Sequence, residues 1–317
     1  MKRLKIGLHG TNGHQIQGLL AENQRATLAA VSAWGKDIPQ GASPKRYDTL
    51  EELLRDPEVE LVSLCSPRRK DQARDAIACL EAGRHVYAEK PCALTEKELD
   101  AIVEASCRTG RRFHEMAGTA FAQPYLSMRR IVADGIIGDV IQILVQKSYP
   151  SGDWRPLDED VDGGLLLQVG IHAARMVEHV AGARIASASA VQTRLGNPRG
   201  GDLRMAAAIM IGLEGGGVAT ITCNYLNPRG FPSWGNETLR IFGTKGMVEA
   251  VDGGARTRLV CGDKDEGSLC LDEPSMEYFE MFLDELLGIH PMPLSLEEEL
   301  HPLRALIRAR AGIVDLT

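Results

Sequence analysis

The chain has 317 residues, of which 44% are apolar and 25% are charged, and its formal net charge is −7. This length predicts two domains, and the ordinary composition excludes a disordered, fibrous or repeat protein. The acidic balance offers no basic surface for nucleic acid or for anionic membranes, so we expect a small-molecule substrate.

The cysteines and the apolar runs indicate the compartment. The seven cysteines are scattered without a Cys-x-x-Cys pair, which suits free thiols in a reducing cytoplasm better than disulfides or a zinc site. The amino terminus passes directly into strand-like sequence, and no apolar run approaches the ~18 residues of a membrane span. We therefore expect a cytoplasmic protein that makes no membrane contact.

The first predicted strand, residues 4–9, is followed by a glycine-containing turn and a helical pattern from Ile16. A dinucleotide site requires this order, because glycines let the backbone approach a pyrophosphate at the amino end of a helix. The turn reads Gly10-Thr11-Asn12-Gly13-His14. Against the pattern G-x-G-x-x-G, Asn12 stands at the second glycine and Gln15 at the third, so the motif is imperfect.

The second predicted strand, residues 27–33, has no carboxylate at its end, where one commonly binds the adenosine ribose. The end reads Ser32-Ala33-Trp34-Gly35-Lys36-Asp37. Trp34 could stack on adenine and Lys36 could face a 2′-phosphate, so the cofactor is predicted to be NAD or NADP. The alternatives are that Trp34 is ordinary packing and Lys36 a solvated charge.

Strands predicted at 60–65, 84–88 and 111–116 alternate with helices at 69–81 and 95–107. This alternation predicts a doubly wound parallel sheet, the Rossmann arrangement, as an N-terminal domain of residues 1–118.

Two loops follow these strands at the edge where open α/β sheets bind ligands. Ser66-Pro67 begins the loop after strand 60–65, and Glu89-Lys90-Pro91 follows strand 84–88. Because Pro91 cannot continue a central strand, Lys90 is predicted to lie at the carboxyl end of its strand, poised for chemistry.

After a helix near 123–134, the pattern changes to strands joined by tight turns, which are antiparallel. We expect a second domain, residues 119–317, of the α+β class on a largely antiparallel open sheet. One face of such a sheet needs a partner, so we expect a homodimer or homotetramer. The strands are predicted at 140–149, 185–195, 203–213, 217–225, 237–243, 246–251 and 256–261, with helices at 276–287 and 295–310.

Two stretches of this second domain contain candidate functional residues. Tyr149, Trp154 and Arg155 follow its first strand and could line a substrate pocket, with ordinary loop packing as the alternative. Gln168 and His172 are four residues apart in a predicted helix and would share one of its faces. No metal site is expected, because there is no His-Glu-x-x-His motif.

With the turn at 10–14, Glu89-Lys90-Pro91, and Gly163-Gly164 before His172, the chain resembles the Gfo/Idh/MocA family over nearly its whole length. This family contains glucose-fructose oxidoreductase and inositol dehydrogenase. The resemblance implies a nicotinamide-binding Rossmann domain and hydride transfer to or from a sugar, a polyol or a similar hydroxylated molecule. It further implies that Lys90 and His172 face the nicotinamide ring. Lys90 would hold the substrate oxygen, His172 would exchange its proton, and Glu89 would fix the turn or the nicotinamide side.

The chain departs from the common family pattern at three positions. Asn12 replaces a glycine, Ala33 stands where an acid is common, and Gln168 stands where the family has a carboxylate four residues before the histidine. A glutamine can bind a hydroxyl but cannot take up a proton. A dinucleotide- or ligand-binding regulatory protein without catalysis, and a redox-assisted glycosidase, are therefore the alternative functions.

Overall fold

The computed structural model describes residues 3–197 and 199–316. The chain forms two compact units, Met1–Met116 with Phe279–Glu299, and Ala117–Tyr278 with Leu300–Thr317. The sequence placed all of 119–317 in one domain, whereas part of the C-terminal region returns to the first unit. The physical reason is aromatic packing: the Tyr87 ring lies 5.3 Å from that of Phe279 and 5.9 Å from that of Phe282.

The first unit contains a parallel sheet of six strands in the order β3-β2-β1-β4-β5-β6. This confirms the predicted doubly wound fold, although the short β3 was not foreseen. The strands are β1 Leu4–His9, β2 Ala26–Ser32, β3 Lys45–Tyr47, β4 Leu61–Leu64, β5 His85–Ala88 and β6 Phe113–Glu115.

Four helices follow strands of this sheet, namely α1 Gln17–Leu20, α2 Leu50–Leu54, α3 Gln72–Glu81 and α4 Glu96–Thr109. Helix α1 has only four residues, so the turn after β1 leads into a single turn of helix. Thr49 and Thr95 form capping boxes at the starts of α2 and α4, in which the threonine hydroxyl accepts from the amide of a glutamate whose carboxylate accepts from the threonine amide.

The second unit contains a sheet of nine strands in the order β14-β13-β12-β11-β7-β10-β9-β8-β15. It is mostly antiparallel, as predicted, with parallel pairs at β7/β10 and β8/β15. The strands are β7 Val140–Ser148, β8 Ile185–Thr193, β9 Ala206–Leu213, β10 Val218–Asn224, β11 Asn236–Gly243, β12 Gly246–Val251, β13 Arg256–Cys261, β14 Lys264–Gly267 and β15 Val314–Asp315.

Helices cover one face of this sheet, with α7 and α8 packed on its central strands. That face is apolar, and the alternation along β7 buries Ile143 and Val145 there. The helices of this part of the chain are α5 Tyr125–Ala133, α6 Glu159–Asp162, α7 Leu165–Gln168 and α8 Gly170–Arg175, and the C-terminal helices are α9 Tyr278–Leu286 and α10 Leu296–Ala311.

Among the described residues, two kinds of feature are absent: a membrane-spanning helix and a metal-binding cluster. Within 3–197 and 199–316, no helix is long and apolar enough to cross a membrane. Over the same ranges, no group of three or more His, Cys, Asp or Glu residues is arranged to hold a metal ion.

Candidate active site

The carboxyl edge of the first sheet brings the predicted cofactor segments together. β1, β4 and β5 are adjacent, and His9 pairs with Leu64, which in turn pairs with Ala88. The segments 10–14, 65–67 and 89–91 leave these three strand ends. Gly10 has a φ of 70°, and a Cβ there would lie 2.0 Å from the Cys65 carbonyl oxygen, so only glycine permits this approach.

The Glu89 carboxylate is the centre of this edge. It is fully buried, and its Oε2 accepts hydrogen bonds from the His14 backbone amide and, at 3.0 Å, from His14 Nδ1. Its Oε1 accepts from the Lys90 amide at 2.9 Å and lies 3.8 Å from Lys90 Nζ. Gly13 is required beside it, because a Cβ would come within 2.4 Å of Oε2.

The charges around Glu89 keep it ionised. Burial alone raises the pKa of a carboxyl group, but the Lys90 ammonium and the hydrogen bond from His14 outweigh burial and hold the pKa of Glu89 at about 2. Glu89 and Lys90 therefore form a buried ion pair at the end of β5. Lys90 is 3% exposed, so the pair sits in a poorly hydrated place where its field is strong.

Asn12 and Gln15, which stand at the second and third glycine positions of the pattern, hold the 10–14 loop in place through their side chains. Asn12 Nδ2 donates to the Pro67 carbonyl at 3.3 Å. Gln15 Nε2 donates to the carbonyls of His9, Gly10 and Ser63 at 2.9 to 3.2 Å. Polar side chains at these positions thus replace the flexibility of glycine by specific bonds to neighbouring loops.

Several loop amides are already engaged by the protein. The Gly10 amide donates to the Ser32 carbonyl and the Gly13 amide to the Thr11 carbonyl, both at 3.0 Å, while the His14 amide is bound by Glu89. These three amides therefore differ from the free amides that we expected a pyrophosphate to bind at the start of the helix.

Arg69 is a residue that the sequence analysis missed. It is 1% exposed, and its Nη2 donates to the Asn12 carbonyl at 2.6 Å. Among the described residues, its Nε and Nη1 have no hydrogen-bond partner. A buried guanidinium with spare donors beneath this loop fits a phosphate-bearing ligand. The run Arg68-Arg69-Lys70 directly after Ser66-Pro67 was the available signal.

Ser66 is placed at the predicted edge, but its side chain is engaged elsewhere. It is fully buried, its hydroxyl donates to Asp75 Oδ2 at 2.7 Å, and its amide donates to Gln72 Oε1 at 2.8 Å. Gln72 also donates to the Glu89 carbonyl at 2.8 Å. Ser66 and Gln72 therefore fix the positions of the two loops.

The end of β2 has an unusual backbone. Ala33 has a φ of 47°, in the left-handed region that non-glycine residues rarely adopt. Trp34 follows half-buried, and its Nε1 is buried without a hydrogen-bond partner in the described part of the chain. Lys36 Nζ lies 3.4 Å from the Gly13 carbonyl, so the ammonium sits beside the glycine turn.

In the second unit, His172 begins a row of aromatic side chains. The Tyr149 ring meets the His172 ring edge-on at 6.3 Å, and Trp234 lies 6.5 Å from Tyr149. Trp154 continues the row at 5.8 Å from Trp234. Both tryptophans are exposed, at 56% and 57%. The row therefore presents apolar ring faces to solvent, starting from the candidate proton-transfer residue.

The base of this row holds a buried ion pair that the analysis also missed. Lys147 follows Ile143 and Val145 on the inner face of β7, and its Nζ lies 2.5 Å from Glu237 Oε1 and 5.2 Å from the centre of the Tyr149 ring. Burial disfavours the ammonium, but Tyr149 and Glu237 outweigh burial and raise the pKa of Lys147. A lysine at an apolar position of an alternating strand was the signal.

The predicted helix around Gln168 and His172 is interrupted. Gln168 ends α7, Val169 lies between the helices with a φ of −105°, and His172 lies in the first turn of α8. The predicted single helix is therefore divided into two at Val169, whose backbone stays in the right-handed helical region. The helical pattern of the sequence did not reveal this interruption.

Arg155 is packed within the second unit. Its guanidinium lies 3.8 Å from the centre of the Tyr225 ring, and its Nη1 is 3.6 Å from Asp162 Oδ1. The Tyr225 hydroxyl donates to the other oxygen of Asp162 at 3.1 Å. These contacts favour the alternative of loop packing for Arg155 over contact with a substrate.

Two family models match the chain. Residues 2–116 match the oxidoreductase family with an NAD-binding Rossmann fold, and residues 125–249 match the GFO/IDH/MocA C-terminal domain. The chain belongs to the Gfo/Idh/MocA oxidoreductase family. Its first unit is the NAD-binding domain of that family, which confirms the resemblance drawn from the glycine turn and Glu89-Lys90-Pro91.

Gfo/Idh/MocA relatives include two dehydrogenases. Myo-inositol 2-dehydrogenase of Thermotoga maritima is 26% identical over 300 residues, which cover 89% of this chain and 86% of that protein. Trans-1,2-dihydrobenzene-1,2-diol dehydrogenase of Sus scrofa is 29% identical over 212 residues, 66% of this chain and 60% of that one. The chain spans 57 to 60% of the length of three of the first four curated relatives it matches.

A solved Thermotoga maritima structure is similar to this chain over 98% of its length and 97% of the other chain, with a TM-score of 0.88 and 25% identity. The Gfo/Idh/MocA fold therefore extends over both units of the chain.

Proposed function

We propose that this Gfo/Idh/MocA protein transfers a hydride between a nicotinamide cofactor and a hydroxyl-bearing carbon of a sugar, a polyol or a derivative. The observation that carries the proposal is the buried Glu89 and Lys90 pair at the ligand-binding edge of an NAD-binding sheet. The names of the inositol and dihydrodiol dehydrogenases support the substrate class, because both act on hydroxylated rings.

The cofactor fits the residues of the first unit. Arg69 and Lys36 place positive charge beside the 10–14 loop, and Trp34 offers a ring and an indole donor. When bound, the cofactor accepts or donates the hydride at its nicotinamide ring.

The proposed roles of the protein residues follow from their chemistry. Lys90 holds the substrate oxygen and stabilises negative charge that develops on it. His172 takes the hydroxyl proton during oxidation and returns it during reduction. Gln168 binds a neighbouring hydroxyl through its amide, because it cannot act as a proton acceptor.

Tyr149 and Trp154 are the proposed substrate contacts, and we add Trp234 to them because its ring lies beside both. Aromatic rings stack on the C–H faces of cyclic sugars, while hydroxyls at the ring edge bind polar groups. The position of Tyr149 against His172 supports this arrangement, since a ring bound along the row would present a hydroxyl to the histidine.

Replacement of Lys90 tests the proposal. Lys90→Met keeps the apolar stem but removes the charge, and we expect kcat to fall by roughly 10²–10³-fold, because one stabilising group in an active site contributes about this much. The measurement is the absorbance of reduced nicotinamide with a panel of inositols, aldoses and linear polyols. Because Lys90→Met leaves Glu89 buried without its counter-charge, circular dichroism and cofactor binding are measured under the assay conditions to show that the variant is folded, and Lys97→Met on the exposed surface is the control.

His172→Asn extends the same test. If Lys90 and His172 serve one chemical step, the double variant should lose scarcely more activity than either single variant. Unchanged kcat in Lys90→Met contradicts the proposal. Cofactor binding by the native protein without turnover of any panel member would favour the regulatory alternative, and product release without net change in cofactor would favour the glycosidase.

We further propose that the chain forms a homodimer or homotetramer through the face of the second sheet that its helices leave open. Met210 on β9 and Val218 on β10 lie on this open side of the sheet and are 63% and 48% exposed. All seven cysteines are free thiols, which supports the proposed cytoplasmic location.

A further inference from the structure

The residues that follow β2 bear on which nicotinamide cofactor is used. In Rossmann folds this segment meets the adenosine ribose, and an acid there accepts hydrogen bonds from the ribose hydroxyls of NAD. No acid occurs between Ser32 and Lys36. The Ser32 hydroxyl is 2.9 Å from His9 Nδ1 and fully buried, so it is committed to the interior.

Lys36 supplies the opposite charge at this place. Its Nζ lies 3.4 Å from the Gly13 carbonyl, which holds the ammonium beside the turn between β1 and α1. Among the described residues, Lys36 forms no ion pair with a carboxylate, whereas Lys45 on the neighbouring β3 binds both Asp56 and Glu58. An exposed ammonium that only a backbone carbonyl engages remains available to a phosphate.

Trp34 is an independent indication of a ligand. Its Nε1 is shielded from solvent and has no acceptor in the described part of the chain. A buried donor without a partner costs free energy, and an oxygen or nitrogen of a bound nucleotide would satisfy it. The left-handed backbone of Ala33 immediately before it turns the chain sharply at the end of β2.

Further positive charge lies on the other side of the turn. The Arg69 guanidinium is bonded to the Asn12 carbonyl and keeps two donors unsatisfied within the described residues. The negative charge of Glu89 on the same edge is balanced by the Lys90 ammonium and by the hydrogen bond from His14. The surroundings of the turn therefore favour a ligand with additional negative charge.

We infer that the protein selects NADP(H) over NAD(H), with Lys36 as the specificity-determining residue for the 2′-phosphate. The inference rests on the proposed function, since it concerns the cofactor of that reaction. A phosphate on the ribose gains attraction to Lys36, while the four residues that end β2 and follow it, Ser32 to Gly35, offer no carboxylate to the ribose hydroxyls of NAD, the first acid being Asp37 beyond Lys36.

Equilibrium binding without substrate tests the inference. The dissociation constants of NADPH, NADH, 2′,5′-ADP and 5′-ADP would be measured by isothermal titration calorimetry and by the change in tryptophan fluorescence. We expect NADPH and 2′,5′-ADP to bind at least about 10-fold more tightly than NADH and 5′-ADP, with a preference that falls as salt is added, since an exposed charge contact is screened.

Two variants identify the residue responsible. Lys36→Gln should raise the dissociation constant of NADPH about 10-fold and leave that of NADH unchanged. Lys97→Gln, at an exposed lysine near the start of α4, should alter neither constant. Ala33→Asp should shift the preference towards NADH, because it supplies the acid and aspartate tolerates a positive φ better than most residues.

The outcomes separate the two proposals. Equal or tighter binding of NADH by the native protein, or an equal loss for both cofactors in Lys36→Gln, would overturn the selectivity while the proposed oxidoreductase function stands. Binding of neither cofactor would overturn both. Selectivity for NADPH together with no turnover of any alcohol would leave the inference about Lys36 standing and reject the catalytic proposal.

Discussion

Glu89 connects the glycine turn to the residues that follow β5 through one buried carboxylate. It binds the His14 amide and ring, the Lys90 amide and the Lys90 charge. An ionised carboxylate accepts all these bonds, whereas a neutral amide brings donors of its own. Glu89 therefore sets the position of the glycine turn relative to Lys90, a role that the tripeptide Glu89-Lys90-Pro91 suggests only through its family resemblance.

Glu89→Gln should destabilise the protein by about 3–5 kcal/mol, because it leaves the Lys90 ammonium buried without its counter-charge. Since the pKa of Glu89 falls from 4.5 to about 2, its contribution is complete above pH 4.5 and is lost as the pH falls towards 2. Urea unfolding from pH 5 to 2 measures both effects. Glu104→Gln, on the exposed surface of α4, should change the free energy of unfolding little. An equal loss of stability in that control would refute the role of Glu89.

At the scale of elements, His114 of β6 ties the returning C-terminal segment to the first sheet. Its Nδ1 is 2.8 Å from Glu299 of α10 and its Nε2 is 3.1 Å from Glu285 of α9. Glu299 also accepts from the Glu115 amide at 2.6 Å. Burial alone lowers the pKa of a histidine, but these two carboxylates outweigh burial and raise the pKa of His114 to about 9.

This raised pKa predicts a stability change at alkaline pH. A raised value means that the His114 contribution is complete below pH 6.5 and is lost as the pH rises through about 9. The difference in unfolding free energy between the native protein and His114→Gln should thus shrink by about 3 kcal/mol over this window. Denaturant unfolding at several pH values tests it, with His290→Gln as an exposed control. A difference that stays constant with pH would exclude the linkage.

At the scale of the whole molecule, the open face of the second sheet is the feature that concerns assembly. Its central residues are modest in size, and cross-strand neighbours such as Met210 and Thr220 are accessible on β9 and β10. The uncharged centre of this face, on β9 and β10, suits a self-complementary contact between two copies.

Met210→Glu should convert the proposed oligomer to monomer, because it would bury two like charges in a symmetric contact. Light scattering at micromolar concentration gives the mass of the native protein and the variant. Met276→Glu, which lies outside the sheet, should leave the mass unchanged. A monomeric native protein, or an oligomer that survives Met210→Glu, would contradict the proposed interface.

The fold was largely predictable from the sequence. The glycine turn, the capping boxes and the alternation of strands and helices depend on residues close together in the sequence, and the structure contains all of them. The helix around His172 was the exception: its apolar pattern continues through residues 165–176, yet the backbone is interrupted at Val169. A periodic pattern records which side of a helix is apolar and does not record such an interruption.

The sequence alone determined the family fold, the position of Lys90 at a strand end and the lack of an acid between Ser32 and Lys36, because each depends on neighbouring residues in the chain. Only the tertiary structure revealed that Asn12 and Gln15 bind neighbouring loops, that Arg69 lies beneath the glycine turn and that residues 279–299 return to the first unit. These features join residues far apart in sequence, and such contacts are set by packing and by the need of buried polar groups for partners.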